Sequence, residues 1–452
     1  MIFRAEVVVA RLAAAASRRT GSGGGTTLPG KLLLRLSPDA IGRLAAPLDR
    51  STVVSATNGK TTTAKMAASV LESGGADLCR NHGGANLDSG IASALLTARA
   101  GQVGLFEVDE AALTGVCATL RPSTLVLGNL FRDQLDRYGE LELIGDRWRS
   151  LVAGLAGDTV VAYNADDPLV AGVGVAAPKG FGFGIEDASI SRESMQHAAD
   201  SKWCARCGHR LGYDAVFLGH LGHWRCPNCG NARPAPAVVA RAVRTIGLEA
   251  SEFTLELPSG SAAVRVPVGG LYNVYNALAA AAIGHAHGIA AATVADGLGR
   301  FSAAFGRGER IDLDGRPALV LLIKNPAGAN EVIRTLAAEP ARKTLVVALN
   351  DRIADGRDVS WIWDVDFEEL VPQVAQVVVT GTRAAEMGMR LKYAGLDAAA
   401  IRVEPALEAA LDAGRAAGEG PLYLLPTYTA MLALRRIIAR RGYVGDYWEA
   451  AA

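Results

Sequence analysis

Ser55-Ala56-Thr57-Asn58-Gly59-Lys60-Thr61-Thr62 follows the β-branched run TVVSA at 52–56 and opens an Ala-rich helical stretch. A bend whose successive backbone N–H groups turn inward, capped by a helix N-terminus, binds phosphate oxygens. On that reading Thr57, Asn58, Gly59, Lys60, Thr61 and Thr62 form an ATP-binding loop. Gly59 lets the backbone come close, Lys60 reaches the β/γ-phosphates, and the Thr61 hydroxyl is placed to ligate Mg²⁺. The general phosphate-loop pattern asks for a further Gly five residues before Gly59, where this chain has Val54. The match therefore rests on its strand–loop–helix setting.

Outward from the loop, strand-like runs at 103–108, 124–128 and 158–163 alternate with helical stretches. That alternation predicts a parallel sheet with helices on both faces. It breaks at about 184–240 and resumes near 264. A second series at 318–323, 344–349, 375–380 and 421–425 predicts a smaller open α/β sheet. With 452 residues the chain exceeds one hydrophobic core. We divide it into an N-terminal segment (1–45), a central ATP-binding domain (46–304) and a C-terminal α/β domain (305–452). Lys+Arg and Asp+Glu both number 46, so no net charge points to nucleic acid. The apolar N-terminus is broken by Arg4, Glu6 and Arg11 and reads as an amphipathic helix rather than a signal peptide. No apolar run is long enough to span a membrane, and a cytoplasmic protein is expected. The Gly/Thr stretch at 20–30 reads equally as a phosphate loop or a connector.

Cys204-Ala-Arg-Cys207 and Cys226-Pro-Asn-Cys229 are each followed by Gly and separated by residues 208–225. This is zinc-ribbon spacing. Cys204, Cys207, Cys226 and Cys229 would close a tetrahedron around a structural Zn²⁺, in an insertion at about 200–232. The nearby His209, His220 and His223 read as loop residues rather than ligands.

Glu107 closes the run VGLFEV, followed by Asp109 and Glu110. Acids at the carboxyl end of a parallel strand suit a Mg²⁺ site, although a solvated acidic turn fits the same residues. The loop at 55–62 resembles the T-G-T-N-G-K-T-T segment of Mur ligases and folylpolyglutamate synthetases, with Ala56 in place of Gly. Other segments are similar to Mur motifs. GNLFRDQLDRYGELE (128–142) keeps Asp133, Leu135 and Asp136 but has Gln134 for a metal-binding His. YNADDP (163–168) is a turn of that family, and LYNVYNALAAAA (271–282) carries Asn273 and Asn276. FGRGER (305–310) matches a hinge. The resemblance implies that Glu107 binds Mg²⁺, that Asn276 contacts the nucleotide, and that Arg307 stabilises the γ-phosphate.

The ribbon, LNDRIADGRDVSWIWDVDFEEL (349–370), the stretch 380–395 and LPTYTAM (425–431) together resemble one subfamily, the MurT subunits of lipid II isoglutaminyl synthase. The resemblance implies ATP-dependent amidation of the D-glutamate α-carboxylate of lipid II, through an acyl phosphate, at the inner face of the membrane. It also implies a heterodimer with a GatD-type glutaminase that supplies ammonia. In that partnership an aspartate of this chain completes the partner's triad. Asp351, Asp355 and Asp358 are the candidates, and Asp355 is our choice. Cys79, before Arg80-Asn81-His82, lacks a nucleophile-elbow setting. An amino-acid-adding Mur or folylpolyglutamate ligase and a zinc-ribbon nucleic-acid NTPase are the alternatives. The ribbon and the 349–370 segment oppose the first, and the neutral charge opposes the second.

Overall fold

The computed structural model describes residues 2–19, 27–81, 84–133, 141–193, 195, 199–302 and 307–444. Part of the Gly/Thr stretch (20–26), Gln134 to Asp136, Phe305 and Gly306, and the side chain of Arg307 lie outside the described residues.

Three helices precede the first strand: α1 (Ile2–Arg19), α2 (Leu28–Leu36) and α3 (Ala40–Ala45). The central domain then runs through β1 (Arg50–Ser55), α4 (Lys60–Ser73), β2 (Leu78–Arg80), α5 (Asp88–Leu95), β3 (Val103–Glu107), α6 (Leu113–Leu120) and β4 (Thr124–Leu127). It continues with α7 (Leu141–Ala153), β5 (Val160–Asn164), α8 (Pro168–Gly174) and β6 (Gly180–Ile185). After a separate hairpin, β7 (Gly212–Leu218) and β8 (Leu221–Arg225), come β9 (Pro236–Ile246), β10 (Ala250–Leu257) and β11 (Gly260–Val266), then α9 (Leu271–Ala286) and α10 (Ala291–Gly299).

The nine-stranded sheet has the order β11-β10-β9-β6-β5-β4-β1-β3-β2. From β2 to β9 its neighbours pair in parallel. Val53 and Val54, adjacent on β1, enter two different cores because successive side chains point to opposite faces. Val54 packs with Met66 of α4 and Leu278 of α9, and Val53 packs with Ile91 of α5 and Trp148 of α7. This double covering explains the continuous apolar runs. The N-terminal helices join the second face. A Cβ on Gly30 of α2 would lie 1.9 Å from the Ser89 carbonyl oxygen, so α2 crosses α5 in close backbone contact.

The sheet is longer than the sequence reading foresaw. β9 to β11 form an antiparallel extension over 236–266, the later part of the stretch in which the pattern seemed to break. In β10 buried and part-exposed residues alternate from Ser251 onward, and the outward positions include Glu252 and Glu256. An amphipathic antiparallel strand of this kind lacks the apolar run used to find the parallel ones.

The C-terminal sheet comprises β12 (Arg307–Leu313), β13 (Arg316–Leu321), β14 (Lys343–Ala348), β15 (Val374–Thr380), β16 (Ile401–Val403) and β17 (Leu422–Pro426). Its order is β12-β13-β17-β14-β15-β16. Helices α11 (Pro326–Ala337) and α12 (Ala384–Tyr393) cover one face, and α13 (Leu407–Ala416) and α14 (Tyr428–Arg440) the other. β12 is an antiparallel edge strand, and the remaining neighbours are parallel.

The Asn-x-Asp-Asp turn after β5 is a structural hub. Asp167 is fully buried and caps α8 by accepting from the N–H groups of Leu169 and Val170. Its other oxygen accepts from Leu130 N–H at 2.9 Å and faces His220 Nε2 at 3.3 Å. Replacing Asp167 by Ala strands several buried donors. Asp167→Ala should therefore cost about 2–4 kcal/mol of central-domain stability, seen as a lowered urea midpoint. An unchanged midpoint would contradict this role.

Candidate nucleotide site and cysteine cluster

The phosphate loop joins β1 to α4 at the carboxyl end of the parallel strands, where open α/β sheets bind ligands. Gly59 has φ +87°, and a Cβ there would lie 2.0 Å from Asn276 Oδ1. Both left-handed backbone and close approach demand glycine here. Asn129 fixes the loop from β4: its Oδ1 accepts from Asn58 N–H and its Nδ2 donates to Asn58 O, both at 2.9 Å. The Thr57 N–H donates to the Asn129 carbonyl.

Lys60 is buried and donates to Glu110 at 2.6 Å and to the Ala56 carbonyl at 2.5 Å. Burial alone would lower the lysine's pKa. The Glu110 carboxylate, with Asp109 and Glu107 behind it, more than reverses this and raises it. For Glu110 burial pushes upward, but Lys60, with Lys324 further off, brings the carboxyl below its ordinary value. Thr61 Oγ1 donates to Glu107 Oε1 at 2.8 Å. A hydroxyl and a carboxylate side by side at a phosphate loop fit a hard cation, so Mg²⁺ suits this pair. Glu107 is buried and is anchored by Asn81, which bonds both its N–H and its carbonyl.

Beside the loop lies a partly open cleft, about 850 Å³ with the open solvent at its mouth included. Asn58, Gly59 and Asn276 form its polar end, and Phe131, Tyr272 and Val332 are among its apolar walls. Asn276 is buried and interacts with Thr63 and Asn273 as well as facing Gly59. The C-terminal domain reaches the loop too. Lys324 Nζ donates to Asp133 at 2.6 Å and to Thr57 O at 3.2 Å, and the Asn325 and Asn58 side-chain amides pair at 2.9 Å. Sequence reading missed Asn129, Lys324 and Asn325. Their signal is weak: Asn129 is a lone polar residue just past the end of β4, and Lys324-Asn325 is a short polar pair just past the end of β13. The backbone of Arg307 begins β12.

The four cysteine sulfurs lie within 4.8 Å of one another. Cys204 and Cys229 are 3.6 Å apart, Cys207 and Cys226 3.5 Å. Four thiolates converging at these separations fit a tetrahedral Zn²⁺. No histidine joins the cluster among the described residues. His223 sits on β8 rather than in a loop, with Nε2 2.8 Å from the Ile185 carbonyl oxygen. His220 is buried at the hairpin turn. Burial pushes the Cys79 thiol up to about 11 and Cys117 to about 12, so neither offers a thiolate.

In the 349–370 segment Asp355 is buried. Its carboxylate accepts from Thr429 N–H at 2.7 Å and Thr429 Oγ1 at 2.5 Å. Thr382, then Arg383, hold Asp351 below the usual carboxylate range. Asp358 is exposed and accepts from Ser360 N–H at 2.8 Å. Asn350 also bonds Thr429, so the 349–370 and 425–431 motifs meet where β14 and β17 end.

The family profile described as Mur ligase middle domain matches residues 54–211, and that described as MurT ligase C-terminal matches 322–431. The lipid II isoglutaminyl synthase (glutamine-hydrolyzing) subunit MurT of Streptococcus pneumoniae is 33% identical over 428 residues, 93% of this chain and 94% of that protein. Its counterpart from Staphylococcus aureus strain N315 is 32% identical over 392 residues, covering 86% and 87%. A pseudomurein peptide ligase type C from Methanothermus fervidus superposes with a TM-score of 0.69 at 22% identity, over 87% of this chain and 79% of that one. A Mycobacterium tuberculosis folylpolyglutamate synthase complexed with ADP gives 0.63 at 16% identity, over 90% and 94%. Fold and site together define a ligase of the Mur type. Within that class the chain belongs to the MurT family.

The Lys60–Glu110 pair makes a stability prediction. Lys60→Ala leaves a buried carboxylate unpaired and should destabilise the central domain by about 3–5 kcal/mol, with Lys60→Ala/Glu110→Gln recovering most of the loss. The pair's contribution is fully present between the ordinary values of 4.5 and 10.5. It fades as pH falls through the lowered Glu110 value or rises through the raised Lys60 value. Urea midpoints of the two variants, measured across pH, check this.

Proposed function

We propose that this chain is the ligase subunit of a lipid II isoglutaminyl synthase. It uses ATP to activate the α-carboxylate of D-glutamate in the lipid II stem peptide, and ammonia then converts it to the D-isoglutamine amide. The single observation that carries this reading is the buried phosphate loop, with Lys60 and the Thr61–Glu107 pair at its mouth, in a chain matched along most of its length by MurT subunits.

The chemistry follows from the side chains. The loop N–H groups and Lys60 bind the β- and γ-phosphates, and Lys60 exchanges Glu110 for phosphate oxygens as it does so. Thr61 and Glu107 hold Mg²⁺, which supplies charge neutralisation to the phosphates. Asn276 holds the nucleoside end. A carboxylate oxygen of the substrate attacks the γ-phosphorus and ADP leaves. The Arg307 guanidinium stabilises the charge that develops on the transferred group. Ammonia then adds to the acyl phosphate carbon and gives up a proton, the C–O bond to the bridging oxygen breaks, and inorganic phosphate departs carrying the oxygen that came from the carboxylate.

The ammonia comes from a GatD-type glutaminase subunit bound to the C-terminal domain, and Asp355 supplies the acid of that partner's triad. Thr429 fixes the Asp355 carboxylate, and a triad acid must hold an imidazole in one tautomer and orientation. No described helix is long and apolar enough to cross a membrane. We place the enzyme in the cytoplasm, meeting lipid II at the inner membrane face.

Product formation by the complex, measured with glutamine and separately with free ammonium at high pH, tests the assignment. Asp355→Asn should cut glutamine-dependent amidation by about 10³–10⁴-fold while ammonium-dependent amidation survives. A parallel fall in both would place Asp355 in the ligase site or the fold. No fall in either would move the acid to Asp351 or Asp358.

A further inference from the structure

The zinc ribbon and the nucleotide cleft are two ends of one hairpin. The two Cys-x-x-Cys knuckles flank β7 and β8 in sequence, and the strands join them to the turn at Gly219-His220. At the root, Cys204 N–H donates to His209 O, Leu211 N–H to Lys202 O, and Cys226 N–H to Asn231 O. At the tip, Leu218 and Leu221 form part of the apolar wall of the cleft that also holds Gly59 and Asn276.

The tip is fastened on every side. His220 is fully buried, with its ring centroid 4.5 Å from that of Phe131 and Nε2 3.3 Å from Asp167 Oδ2. Phe131 lines the same cleft, and its N–H donates to Thr57 Oγ1 in the phosphate loop at 3.1 Å. Trp224 Nε1 donates to Ala165 O at 3.0 Å. Arg233, four residues past Cys229, donates to Asp166 at 2.6 Å, and Tyr275 donates to the other oxygen of Asp166 at 2.7 Å. Tyr275 lies on α9 next to Asn276. From the C-terminal domain, Arg334 Nη1 donates to Phe217 O at 2.9 Å.

We propose that the ribbon is a working wall of the nucleotide site: zinc clamps the root of the β7–β8 hairpin so that Leu218 and Leu221 stay packed against the apolar part of the bound nucleotide. This rests on the nucleotide reading given above. Two strands of this length have marginal stability as an isolated hairpin. The knuckles supply the missing restraint, because metal binding to four thiolates is itself folding free energy. Loss of zinc releases the root, the register of the pair loosens, and Leu218 and Leu221 lose their fixed positions against the cleft although the contacts of His220 hold the turn.

The test measures ADP affinity, with Mg²⁺, on the full chain. The zinc-loaded protein is compared with chelator-stripped protein, with stripped protein given zinc back, and with zinc-loaded Leu218→Ala/Leu221→Ala. Zinc content and near-UV circular dichroism are recorded for each. Stripping should raise the Kd on the order of tenfold, and restored zinc should reverse it. The tip variant should keep one zinc per chain and still bind ADP on the order of tenfold more weakly. A wild-type Kd for that variant, or for stripped protein that retains its fold, overturns the proposal. If stripping unfolds the chain, the tip variant alone decides. Failure of the zinc-loaded wild type to bind ADP at all overturns the nucleotide reading and this inference with it.

Discussion

The paired hydrogen bonds between the Asn129 amide and the backbone of Asn58 hold the site in the shape on which the rest depends. A phosphate loop must keep N–H groups pointed at a ligand instead of spending them on its own secondary structure. Such a loop keeps one shape only if something outside it takes up the remaining backbone groups. Asn129 does this from the end of β4, and Thr57 adds a further bond to the same residue. With the loop fixed, the Asn58 side chain faces the C-terminal domain and meets Asn325. One interaction inside the central sheet thus sets where the second domain touches the site.

The charges around the loop follow from the same constraint. Two lysines converge on it, one from each domain, and each is paired with its own acid: Lys60 with Glu110 and Lys324 with Asp133. The Lys60 pair is almost completely out of water. A buried ion pair is a poor source of net stability, because desolvation offsets much of the attraction. It is well suited to a site that will receive a polyanion, since the lysine is already dehydrated and positioned and needs only to change partners. Glu110 is in this account the residue that holds Lys60 ready.

The phosphate loop, the cysteine quartet and the buried strands were legible because each rests on local chemistry with a fixed spacing. Gly59, Lys60 and Thr61 must be adjacent to act together, and two Cys-x-x-Cys knuckles read as a metal site in any fold. The β9–β11 extension was not legible, since polar residues on its outward face interrupt the apolar run. Lys324 and Asn325 were hidden for another reason: they act on Thr57 and Asn58, more than 260 residues away in sequence, and only the docking of the C-terminal domain brings them there. His220 is the loop residue that the sequence suggested, but nothing in the sequence shows that the turn it occupies is driven into the core between Phe131 and Asp167.

The central claim is that this chain activates a carboxylate by phosphorylating it. Oxygen transfer tests that most directly. Lipid II carrying ¹⁸O in the D-glutamate α-carboxylate is turned over with ATP and ammonium, and the inorganic phosphate released is examined by mass spectrometry. The account predicts that each turnover moves one labelled oxygen from the carboxylate into phosphate, because the bond made to phosphorus is the bond that leaves with it. Amide product formed together with unlabelled phosphate would contradict it.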